Sequence, residues 1–490
     1  MKYILAIDQG TTGSRAVIYD KKGRKITASY QEFPQYFPKP GWVEHNPQEI
    51  WKSVYDSIQK VLKKIPEAEI EAIGITNQRE TTVIWDRNTG KPLYNAIVWQ
   101  CRRTADRCDK LKRNKKEASL IRKITGLPID AYFSATKIEW ILKNVSGLAV
   151  KSKKIQICFG TTDSWILWNL TGGKVHATDY TNASRTMLFN IDTLKWDKRL
   201  LRKFNIPKEI LPQVKKSSGF FGKTVKLGKL AQGIPVTGIA GDQQAALAGQ
   251  ACFNKGNVKN TYGTGSFILL NAGNKRPVLQ QGLITTLGCG ASGAPIYVIE
   301  GAVFVSGAAI QWLRDGLKIL SSAGESQKMS EMLPDNEGVY FVPALVGLGA
   351  PYWDQMARGT IVGITRGTTR NHFARAALEA MCYQTKDVLI AIEKDSGIKM
   401  KSLKIDGGAV INNFLCQFQA DILGCKVVRP KETETTSLGA AYLAGLATGY
   451  WKDAEEIKKH WQEDKVFVPK MSKKVSTHFY KGWLEAVKRT

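Results

Sequence analysis

The sequence lacks the clusters of cysteine and histidine that mark metal-bound and disulfide-bonded proteins. Its 8 cysteines form no Cys-x-x-Cys pair, and its 5 histidines are scattered along the chain. A structural zinc site needs several such ligands at close spacing, and a small secreted domain needs paired cysteines. The sequence therefore predicts neither a zinc site nor a disulfide framework.

Long apolar runs are also missing. A membrane-spanning helix needs about 20 consecutive apolar residues, and no stretch of this chain approaches that length. The apolar run near the N-terminus is too short for a signal peptide and has no small-residue cleavage site. The C-terminal residues form no organelle-retention tripeptide. These features predict a cytoplasmic protein without a membrane span.

Acidic residues are scarce relative to basic ones. The chain has 71 Lys and Arg against 43 Asp and Glu, a formal net charge of +28. Such a charge suits nucleic acid, an acidic membrane or an anionic substrate such as ATP. The densest basic run, residues 110–116, would be spread around the surface of a helix, and basic residues do not alternate with aromatic ones. We therefore expect solvated surface lysines and no nucleic-acid partner.

The length of the chain and an internal similarity predict two domains. A chain of 490 residues exceeds one typical core. Residues 260–266, Asn-Thr-Tyr-Gly-Thr-Gly-Ser, and the apolar run after them resemble residues 8–14, Asp-Gln-Gly-Thr-Thr-Gly-Ser, and the run that follows those. Two such turns suggest a duplicated unit, the alternative being two unrelated hairpins. We predict domains at residues 1–250 and 251–490, the second ending in a lysine-rich helical tail.

Hydrophobic periodicity predicts an α/β fold. Apolar runs bounded by turn residues indicate strands, and Pro47 directly after Asn46, followed by Glu49, indicates the start of a helix. Strands that alternate with helices are typical of α/β layers around a mixed sheet. The predicted strands are 3–7, 16–19, 72–76, 82–85, 96–99 and a strand that runs into a glycine turn within 403–409, and the predicted helices begin at 46, 412 and 437.

The two turns rich in glycine, threonine and serine are typical of phosphate binding. Glycine lets backbone amides approach a phosphate closely, and the hydroxyls add hydrogen-bond donors. Neither turn is a Walker A loop, because the Gly-Lys-Ser/Thr ending is absent. Asp8 ends the first strand just before the first turn, where a carboxylate can hold a phosphate-bound Mg²⁺. The alternative for Asp8 is an Asx-type turn residue.

Two longer segments carry a family resemblance. Residues 132–141, Tyr-Phe-Ser-Ala-Thr-Lys-Ile-Glu-Trp-Ile, and residues 359–379 resemble the two signatures of the FGGY family of sugar kinases, in the superfamily of actin, Hsp70 and hexokinase. The similarity covers nearly the whole chain. It implies two ribonuclease-H-like (actin-like ATPase) α/β domains with the active site in the cleft between them.

Within this family the chain resembles members that phosphorylate glycerol. The segments that carry this resemblance are 41–45, 74–82, 95–100, 178–186 and 241–246. The resemblance implies ATP-dependent phosphorylation of glycerol to sn-glycerol 3-phosphate. One alternative is another FGGY kinase that acts on a different small polyol or a ketose. A second alternative is an ATPase of the actin and Hsp70 type, which needs no acceptor.

The resemblance assigns an acceptor site. Asp242 is the expected general base, which takes the proton of the attacking hydroxyl, although its local pattern also fits a helix N-cap. Arg79 would donate and Glu80 would accept hydrogen bonds with glycerol. Without the resemblance, this pair would be interpreted as a surface ion pair. The other residues of the site are aromatic walls, which would otherwise be ordinary core, and one amide: Trp99, Tyr132, Phe267 and Gln243.

The resemblance also assigns an ATP site. It consists of the first phosphate turn with Thr11, Thr12, Gly13 and Arg15, the second turn with Thr264, and an adenosine pocket with Gly307, Gln311, Gly408 and Asn412. Glycines in that pocket would let the purine lie against the backbone, whereas their alternative role is tight helix packing. Asp8 and Asp242 would hold Mg²⁺. Glycerol would bind mainly to the first domain and ATP mainly to the second.

Assembly and regulation are also implied by the resemblance. We expect a homodimer or a homotetramer. Some relatives bind fructose 1,6-bisphosphate on a Gly-Gly-Lys-Gly-Gly-Thr-Arg loop, where glycine amides and an arginine grip a phosphate. The matching residues 226–235 are Lys-Leu-Gly-Lys-Leu-Ala-Gln-Gly-Ile-Pro, in which most glycines have gained side chains and the uncharged Gln232 precedes Gly-Ile-Pro. We therefore expect fructose 1,6-bisphosphate to inhibit weakly or not at all.

Overall fold

A computed structural model of the chain describes residues 2–65, 70–280, 282–354 and 356–490. Its internal contacts group the chain into two compact units. The first unit is Met1–Phe253, Thr285–Tyr297 and Thr435–Trp461, and the second is Asn254–Ile284, Val298–Glu434 and Gln462–Thr490. This grouping assigns two segments of the C-terminal half to the first unit, whereas the predicted ranges 1–250 and 251–490 cut the chain once. A domain boundary at residue 250 stays a prediction.

The strands are numbered in chain order. They are β1 (Tyr3–Gln9), β2 (Gly13–Tyr19), β3 (Lys25–Glu32), β4 (Glu44–His45), β5 (Ile70–Asn77), β6 (Val83–Asp86), β7 (Ala96–Ile97), β8 (Ile157–Gly160), β9 (Ala177–Asp179), β10 (Phe189–Asn190), β11 (Lys195–Trp196), β12 (Gln213–Lys215), β13 (Ser218–Lys223), β14 (Pro235–Gly241), β15 (Val258–Tyr262), β16 (Ser266–Gly273), β17 (Ile284–Cys289), β18 (Pro295–Val303), β19 (Tyr340–Val342), β20 (Thr360–Val362), β21 (Ser402–Asp406), β22 (Lys426–Pro430) and β23 (Glu463–Phe467). The predicted strands are confirmed, although the one expected over 96–99 is limited to β7.

The helices follow the same numbering. They are α1 (Pro47–Leu62), α2 (Ala105–Arg113), α3 (Lys115–Thr125), α4 (Ser134–Asn144), α5 (Leu148–Lys153), α6 (Thr162–Leu170), α7 (Tyr180–Ala183), α8 (Lys198–Lys203), α9 (Asp242–Gly249), α10 (Gly307–Asp315), α11 (Glu325–Glu331), α12 (Arg370–Ser396), α13 (Asn413–Leu423), α14 (Thr435–Thr448), α15 (Ala454–His460) and α16 (Lys473–Val487), with 3-10 turns at Lys208–Ile210 and Gly408–Ile411. Among the residues that the structure describes, no helix is both long enough and apolar enough to cross a membrane.

Local capping residues begin and end the helices that the sequence predicts. The Asn46 side chain accepts a hydrogen bond from the backbone N–H of Gln48 at the start of α1, with Pro47 at the first helical position. In the same way Asn412 caps α13 by accepting from the backbone N–H of Leu415 at 3.0 Å. Gly424 ends α13 in the left-handed conformation, with φ of 71°. These caps satisfy backbone groups that have no partner within the helix.

A sheet buried on both faces forms the centre of the first unit. Its strand order is β13-β14-β5-β1-β2-β3, with β1 antiparallel to β2 and parallel to β5. Leu5 and Ile7 of β1 pack in one core with residues of α1 and α6. Ile4 and Ala6, which point the opposite way, pack in another core with residues of α14. Because helices cover both faces, β1 reads as a continuous apolar run rather than an alternating one.

Small residues let α14 lie close to this sheet. A side-chain carbon added at Gly74 of β5 would lie 2.1 Å from the carbonyl oxygen of Ala440. One added at Gly439 would lie 1.8 Å from the carbonyl oxygen of Ala245 in α9. Neither distance is possible for a real carbon, so glycine is needed at both positions. The close approach brings α14 against both β5 and α9.

The second unit repeats the strand arrangement of the first. Six consecutive strands of a seven-stranded sheet have the order β18-β16-β15-β21-β22-β23. The strand β15 pairs antiparallel with β16 through the second phosphate turn and parallel with β21. That arrangement is the one that β1, β2 and β5 have around the first turn. The repetition favours a duplicated unit over two unrelated hairpins.

The prediction that the lysine-rich tail is surface helix is wrong in part. Residues 463–467 form β23, which pairs antiparallel with β22 at the edge of the second sheet. In α16, Trp483 is fully buried and its indole N–H donates to Asp387 at 2.8 Å. Tyr480 of the same helix donates to Asp387 at 2.6 Å. The tail is rich in charged residues, so its composition did not indicate that a few of its aromatic side chains are buried.

Candidate active site

The first phosphate turn connects β1 to β2. Its backbone closes with a hydrogen bond from the N–H of Gly10 to the carbonyl of Gly13 at 2.9 Å. A side-chain carbon added at Gly13 would lie 2.5 Å from the ring of Tyr30, so only glycine fits there. The hydroxyl of Thr12 lies 3.0 Å from the hydroxyl of Tyr30. The turn is therefore held in one conformation by β3, as a preformed anion site requires.

Trp99 joins the predicted acceptor wall to this turn. Its indole N–H donates to the hydroxyl of Thr11 at 3.0 Å, and its backbone N–H donates to the hydroxyl of Thr81 at 3.3 Å. The ring of Trp99 packs edge-on against the ring of Tyr132, with 5.5 Å between their centroids. Both rings are only partly buried. They are therefore not ordinary core, and they lie beside the phosphate turn.

Arg79 and Asp242 form a close ion pair. The Nε atom of Arg79 lies 3.1 Å from Oδ1 of Asp242, and the guanidinium also donates to Oε1 of Gln244 at 3.3 Å. A side-chain carbon at Gly241 would lie 2.7 Å from Cγ of Arg79, so Gly241 makes room for the arginine. The Arg79 side chain is 2% exposed and that of Asp242 is 32% exposed. The guanidinium is thus fixed, while the carboxylate remains accessible.

The predicted N-cap role of Asp242 is wrong. The helix α9 begins at Asp242 itself, and its N-cap is Gly241. The Asp242 carboxylate accepts a hydrogen bond from the backbone N–H of Gln243 at 2.7 Å. It lies at the positive end of the helix dipole, which stabilises an ionised carboxylate.

Glu80 is buried rather than part of a surface ion pair. Its carboxylate pairs with Nε of Arg185 at 2.5 Å, and both side chains are at most 1% exposed. The backbone of Glu80 is in the left-handed region with φ of 61°. Its carbonyl oxygen accepts hydrogen bonds from the hydroxyl of Ser134 at 3.0 Å and from the ammonium of Lys137 at 3.3 Å. Such a conformation is costly for a non-glycine residue and persists only where neighbours fix it.

Lys137 supports two assigned residues at once. Its ammonium also donates to the carbonyl oxygen of Tyr132 at 2.6 Å. Burial lowers the pKa of Lys137 to about 8, although the Glu80 carboxylate acts in the opposite direction. Lys137 lies in the first of the two segments that resemble the family signatures, and it holds the backbone of both Glu80 and Tyr132.

Asp8 lies at the end of β1, opposite Arg15 of β2 in the strand register. Burial raises the pKa of Asp8 to about 6; the Arg15 charge lowers it, and the Asp242 carboxylate raises it further. The two carboxylates are therefore near enough to repel each other. Among the described residues, no three His, Cys, Asp or Glu side chains form a cluster that could hold a metal ion. Any cation here would take most of its ligands from elsewhere.

Two of the residues predicted to bind nucleotide, Thr264 and Gly307, are joined at the second turn. The backbone N–H of Gly307 donates to the carbonyl of Gly263 at 3.0 Å, and that of Ala308 donates to Thr264 at 3.1 Å. These bonds join Thr264 to the start of α10, on which Gln311 is exposed. A side-chain carbon at Gly307 would lie 2.7 Å from the carbonyl oxygen of Gly263. Tight packing therefore explains this glycine.

The other two residues of the predicted adenosine pocket lie after β21. Gly408 begins the 3-10 turn Gly408–Ile411, and a side-chain carbon there would meet nothing within 4 Å. Asn412 follows as the cap of α13. Phe267 lies on β16 of the second unit and is partly buried. The predicted adenosine contacts of Gly408 and Asn412 and the predicted glycerol contact of Phe267 stay predictions.

Sequence reasoning missed the residues that hold the acceptor residues in place. Arg185 pairs with Glu80, and Thr181 accepts a hydrogen bond from the backbone N–H of Gly241 at 2.8 Å. Gln244 accepts from Arg79. Arg185 and Thr181 lie in 178–186, and Gln244 lies in 241–246, two segments that carry the resemblance to glycerol-phosphorylating members. Their place in segments that carry the resemblance was the only sequence signal for them, and it did not show which residues they contact.

Comparison with known proteins identifies the family. The N-terminal domain of the FGGY family of carbohydrate kinases matches residues 3–249, and the C-terminal domain of that family matches residues 258–448. The chain belongs to the FGGY family of carbohydrate kinases.

Within the family, the chain is similar over its full length to proteins named glycerol kinase. The chain is 58% identical to glycerol kinase 2 of Thermotoga maritima, covering 100% of this chain and 99% of that protein. It is 56% identical to a glycerol kinase of Fusobacterium nucleatum, with the same coverage. A crystal structure of Plasmodium falciparum glycerol kinase with ADP superimposes with a TM-score of 0.94 at 38% identity, covering 100% of this chain and 98% of that one. The predicted family and its actin-like fold are thereby confirmed.

Proposed function

We propose that this chain transfers the γ-phosphoryl group of ATP to one hydroxyl of glycerol and produces sn-glycerol 3-phosphate. The observation that carries the proposal is the buried arrangement of Arg79 and Glu80 beside the accessible carboxylate of Asp242. Arg79 pairs with Asp242 and is next to Glu80 in the chain, and a donor, an acceptor and a base suit a small polyol. The full-length similarity to proteins named glycerol kinase supports the same substrate.

Arg79 and Glu80 bind the acceptor in this proposal. The guanidinium donates to one glycerol oxygen and the Glu80 carboxylate accepts from another hydroxyl, which fixes the orientation of the triol. Trp99 and Tyr132 cover the carbon chain. Gln243 and Phe267 complete the acceptor site, as the resemblance implies.

Asp242 acts as the general base. Its Oδ1 atom is held by Arg79 at 3.1 Å, so Oδ2 is the oxygen that accepts the proton of the attacking hydroxyl. The attack proceeds in line on the γ-phosphorus, and the protein contributes mainly by positioning and by electrostatic stabilisation. Because Arg79 contacts the base as well as the acceptor, its role extends to the chemical step.

Asp8 and Asp242 fit a Mg²⁺ ion. Such an ion takes one or two carboxylates and fills its other positions with phosphate oxygens and water, which suits a pair of carboxylates without further protein ligands. When bound, the ion would neutralise charge that develops on the phosphates. Burial and, to a smaller extent, the Asp242 carboxylate raise the pKa of Asp8, and a bound cation would offset both by stabilising the ionised carboxylates.

The remaining assigned residues bind the nucleotide. We propose that Thr11, Thr12, Gly13 and Arg15 of the first turn and Thr264 of the second contact phosphates, and that Gly307, Gln311, Gly408 and Asn412 contact adenosine. We also propose that the protein works in the cytoplasm as a homodimer or homotetramer. The ADP bound to the structurally similar Plasmodium protein supports an adenine nucleotide.

An acceptor panel tests the proposal. ADP release would be measured by a coupled assay with glycerol, dihydroxyacetone, xylulose or no acceptor. We expect the highest kcat/KM with glycerol and little release without an acceptor. A preference for xylulose would establish the ketose kinase alternative, and equal release without acceptor would establish an ATPase of the Hsp70 type.

A further inference from the structure

One short segment of the first unit contacts both Glu80 and Gly241, the residue before the proposed general base. It runs from β9 through α7 to Arg185, and we call this segment, residues 179–185, the support segment. Its side chains are buried throughout apart from Tyr180. Nothing in the family comparison assigns a role to any residue of this segment.

Arg185 fixes Glu80 from one end of the support segment. The guanidinium is fully buried, pairs with the Glu80 carboxylate at 2.5 Å and lies 5.3 Å from the ring centroid of Tyr132. A buried carboxylate needs a charged partner, because an unpaired charge is costly away from water. The aromatic contact fixes the plane of the guanidinium, which a lysine could not reproduce. Arg185 therefore sets the position of the carboxylate that accepts from glycerol.

Thr181, in the middle of the support segment, holds the residue that precedes the proposed base. Its hydroxyl oxygen accepts a hydrogen bond from the backbone N–H of Gly241, the residue before Asp242, at 2.8 Å. The neighbouring Asn182 exchanges two side-chain hydrogen bonds of 3.0 Å with Asn77, which pairs with Gly241 in the sheet. The ends of β5 and β14 are thereby tied to one short helix.

Asp179 anchors the support segment itself. Its carboxylate accepts from the backbone N–H groups of Thr181 at 2.9 Å and Asn182 at 3.0 Å, and from the hydroxyl of Ser217 at 2.7 Å. The carboxylate is fully buried. Because of these hydrogen bonds, α7 cannot shift without breaking several of them at once. It is therefore a rigid support for Glu80 and Gly241.

We infer that Arg185 and Thr181 are positioning residues, Arg185 for acceptor binding through Glu80 and Thr181 for the chemical step through Asp242. This inference rests on the proposed function. Because the two act on different residues, it predicts that their variants separate: loss of Arg185 raises the glycerol KM, and loss of Thr181 lowers kcat.

The test compares purified variants of the full chain by steady-state kinetics. For Arg185→Lys, we expect the glycerol KM to rise about 10- to 100-fold, the effect of a displaced charged hydrogen bond, with the ATP KM unchanged. For Thr181→Val, we expect kcat to fall about tenfold with the glycerol KM unchanged, whereas Thr181→Ser keeps the hydroxyl and restores kcat.

Two matched control variants distinguish a positioning role from a general effect on the stability of the fold. Arg375→Lys alters another buried arginine, which pairs with Glu379 at 2.7 Å and lies over the ring of Phe414. Thr178→Val removes another buried hydroxyl, which donates to Asp163 at 2.6 Å. Both controls should lower the unfolding temperature but leave kcat and both KM values within about twofold.

A double variant decides whether Arg185 acts through Glu80. If it does, Glu80→Gln combined with Arg185→Lys has the same glycerol KM as Glu80→Gln alone, because the carboxylate that Arg185 holds is already lost. Additive effects would overturn the inference, as would kinetic changes in the controls equal to those in the support segment. Wild-type activity is measured first. If the wild type shows no glycerol-dependent ADP release, the proposed function is wrong. If the wild type is active and the Arg185 and Thr181 variants are unaffected, only the positioning roles are overturned.

Discussion

The two phosphate turns have the same architecture but different chemistry. In each, a serine of the second strand pairs with a second serine at 2.7 Å, Ser14 with Ser53 and Ser266 with Ser306. At the register position of the first turn where Asp8 faces Arg15, the second turn has Thr261 facing Phe267. A charged pair in one unit is thus replaced by a neutral pair in the other. The comparison teaches that the two units share a backbone arrangement, while the charged pair next to the turn is present only at the register position of the first unit.

The largest expected effect comes from removing the base of the first unit. Replacing Asp242 with Asn should lower kcat by about 10²–10⁴-fold, the usual contribution of a general base. The fold should survive, because the amide keeps the shape of the side chain at the start of α9. Steady-state kinetics together with thermal unfolding would measure both. Near-normal turnover in the folded variant would remove Asp242 from this role.

A smaller effect is expected from replacing Arg79 or Glu80, and the two variants should differ in which kinetic constants change. Glu80→Ala should raise the glycerol KM by about 10- to 100-fold with kcat little changed, since the proposal gives Glu80 a role in binding the acceptor and none in the chemical step. Arg79→Ala should raise the glycerol KM and also lower kcat, because Arg79 pairs with Asp242 at 3.1 Å. In both, the ATP KM should change little. A collapse of ATP affinity instead would mean that the pair serves the nucleotide.

The pH dependence of Asp8 provides a third test of the comparison. Its pKa is raised from 3.8 to about 6 in the folded chain, so the folded state binds more protons than the unfolded state between these values. Ionisation of Asp8 therefore lowers the free energy of unfolding as the pH rises from about 4 to 6, and this reduction stays constant at higher pH. We expect Asp8→Asn to unfold at a higher temperature than the wild type above pH 6, measured without nucleotide or cation.

The same variant should match the wild type below pH 4. Replacing Thr261 with Val, at the equivalent position of the second unit, should give a stability difference that does not vary with pH, because no titrating group is removed. A pH-independent difference for Asp8→Asn would show that its carboxyl is not perturbed.

The smallest effect is expected at the loop of residues 226–230. The side chain of Gln59 in α1 donates to the carbonyl of Leu227 at 2.9 Å and accepts from the backbone N–H of Lys229 at 2.7 Å. A backbone amide that could grip a phosphate is therefore already engaged. We expect fructose 1,6-bisphosphate at millimolar concentration to leave kcat and KM unchanged. Inhibition at micromolar concentration that disappears in Lys229→Ala would contradict this.

Local patterns predicted much of this fold. The hairpin of β1 and β2, the cap at Asn46 and the limits of α13 follow from turn chemistry and periodicity over a few residues. The small-residue helix α14 was predicted, but its place in the first unit was not, because its contacts with Gly74 join residues far apart in sequence. The strand β23 was missed for the same reason, since only its pairing with β22 distinguishes it from a charged surface segment.

In the candidate site too, contacts between residues far apart in the sequence could not be predicted. Arg79, Glu80 and Asp242 were assigned from the family resemblance, yet their partners were not. Arg185 lies 105 residues from Glu80 in the chain, and Thr181 lies 60 residues from Gly241. No local signal joins such pairs. The sequence also misplaced the start of α9, because Asp before a polar helix fits a cap as well as a first helical residue.

The most direct test follows the transferred phosphoryl group. The wild-type chain would be incubated with ATP labelled at the γ-phosphorus, Mg²⁺ and glycerol, and the labelled products would be separated and their stereochemistry determined. The account predicts that label appears in sn-glycerol 3-phosphate in proportion to ADP, and that Asp242→Asn forms the same product far more slowly. Label that appears mainly in inorganic phosphate, at a rate independent of glycerol, would contradict it.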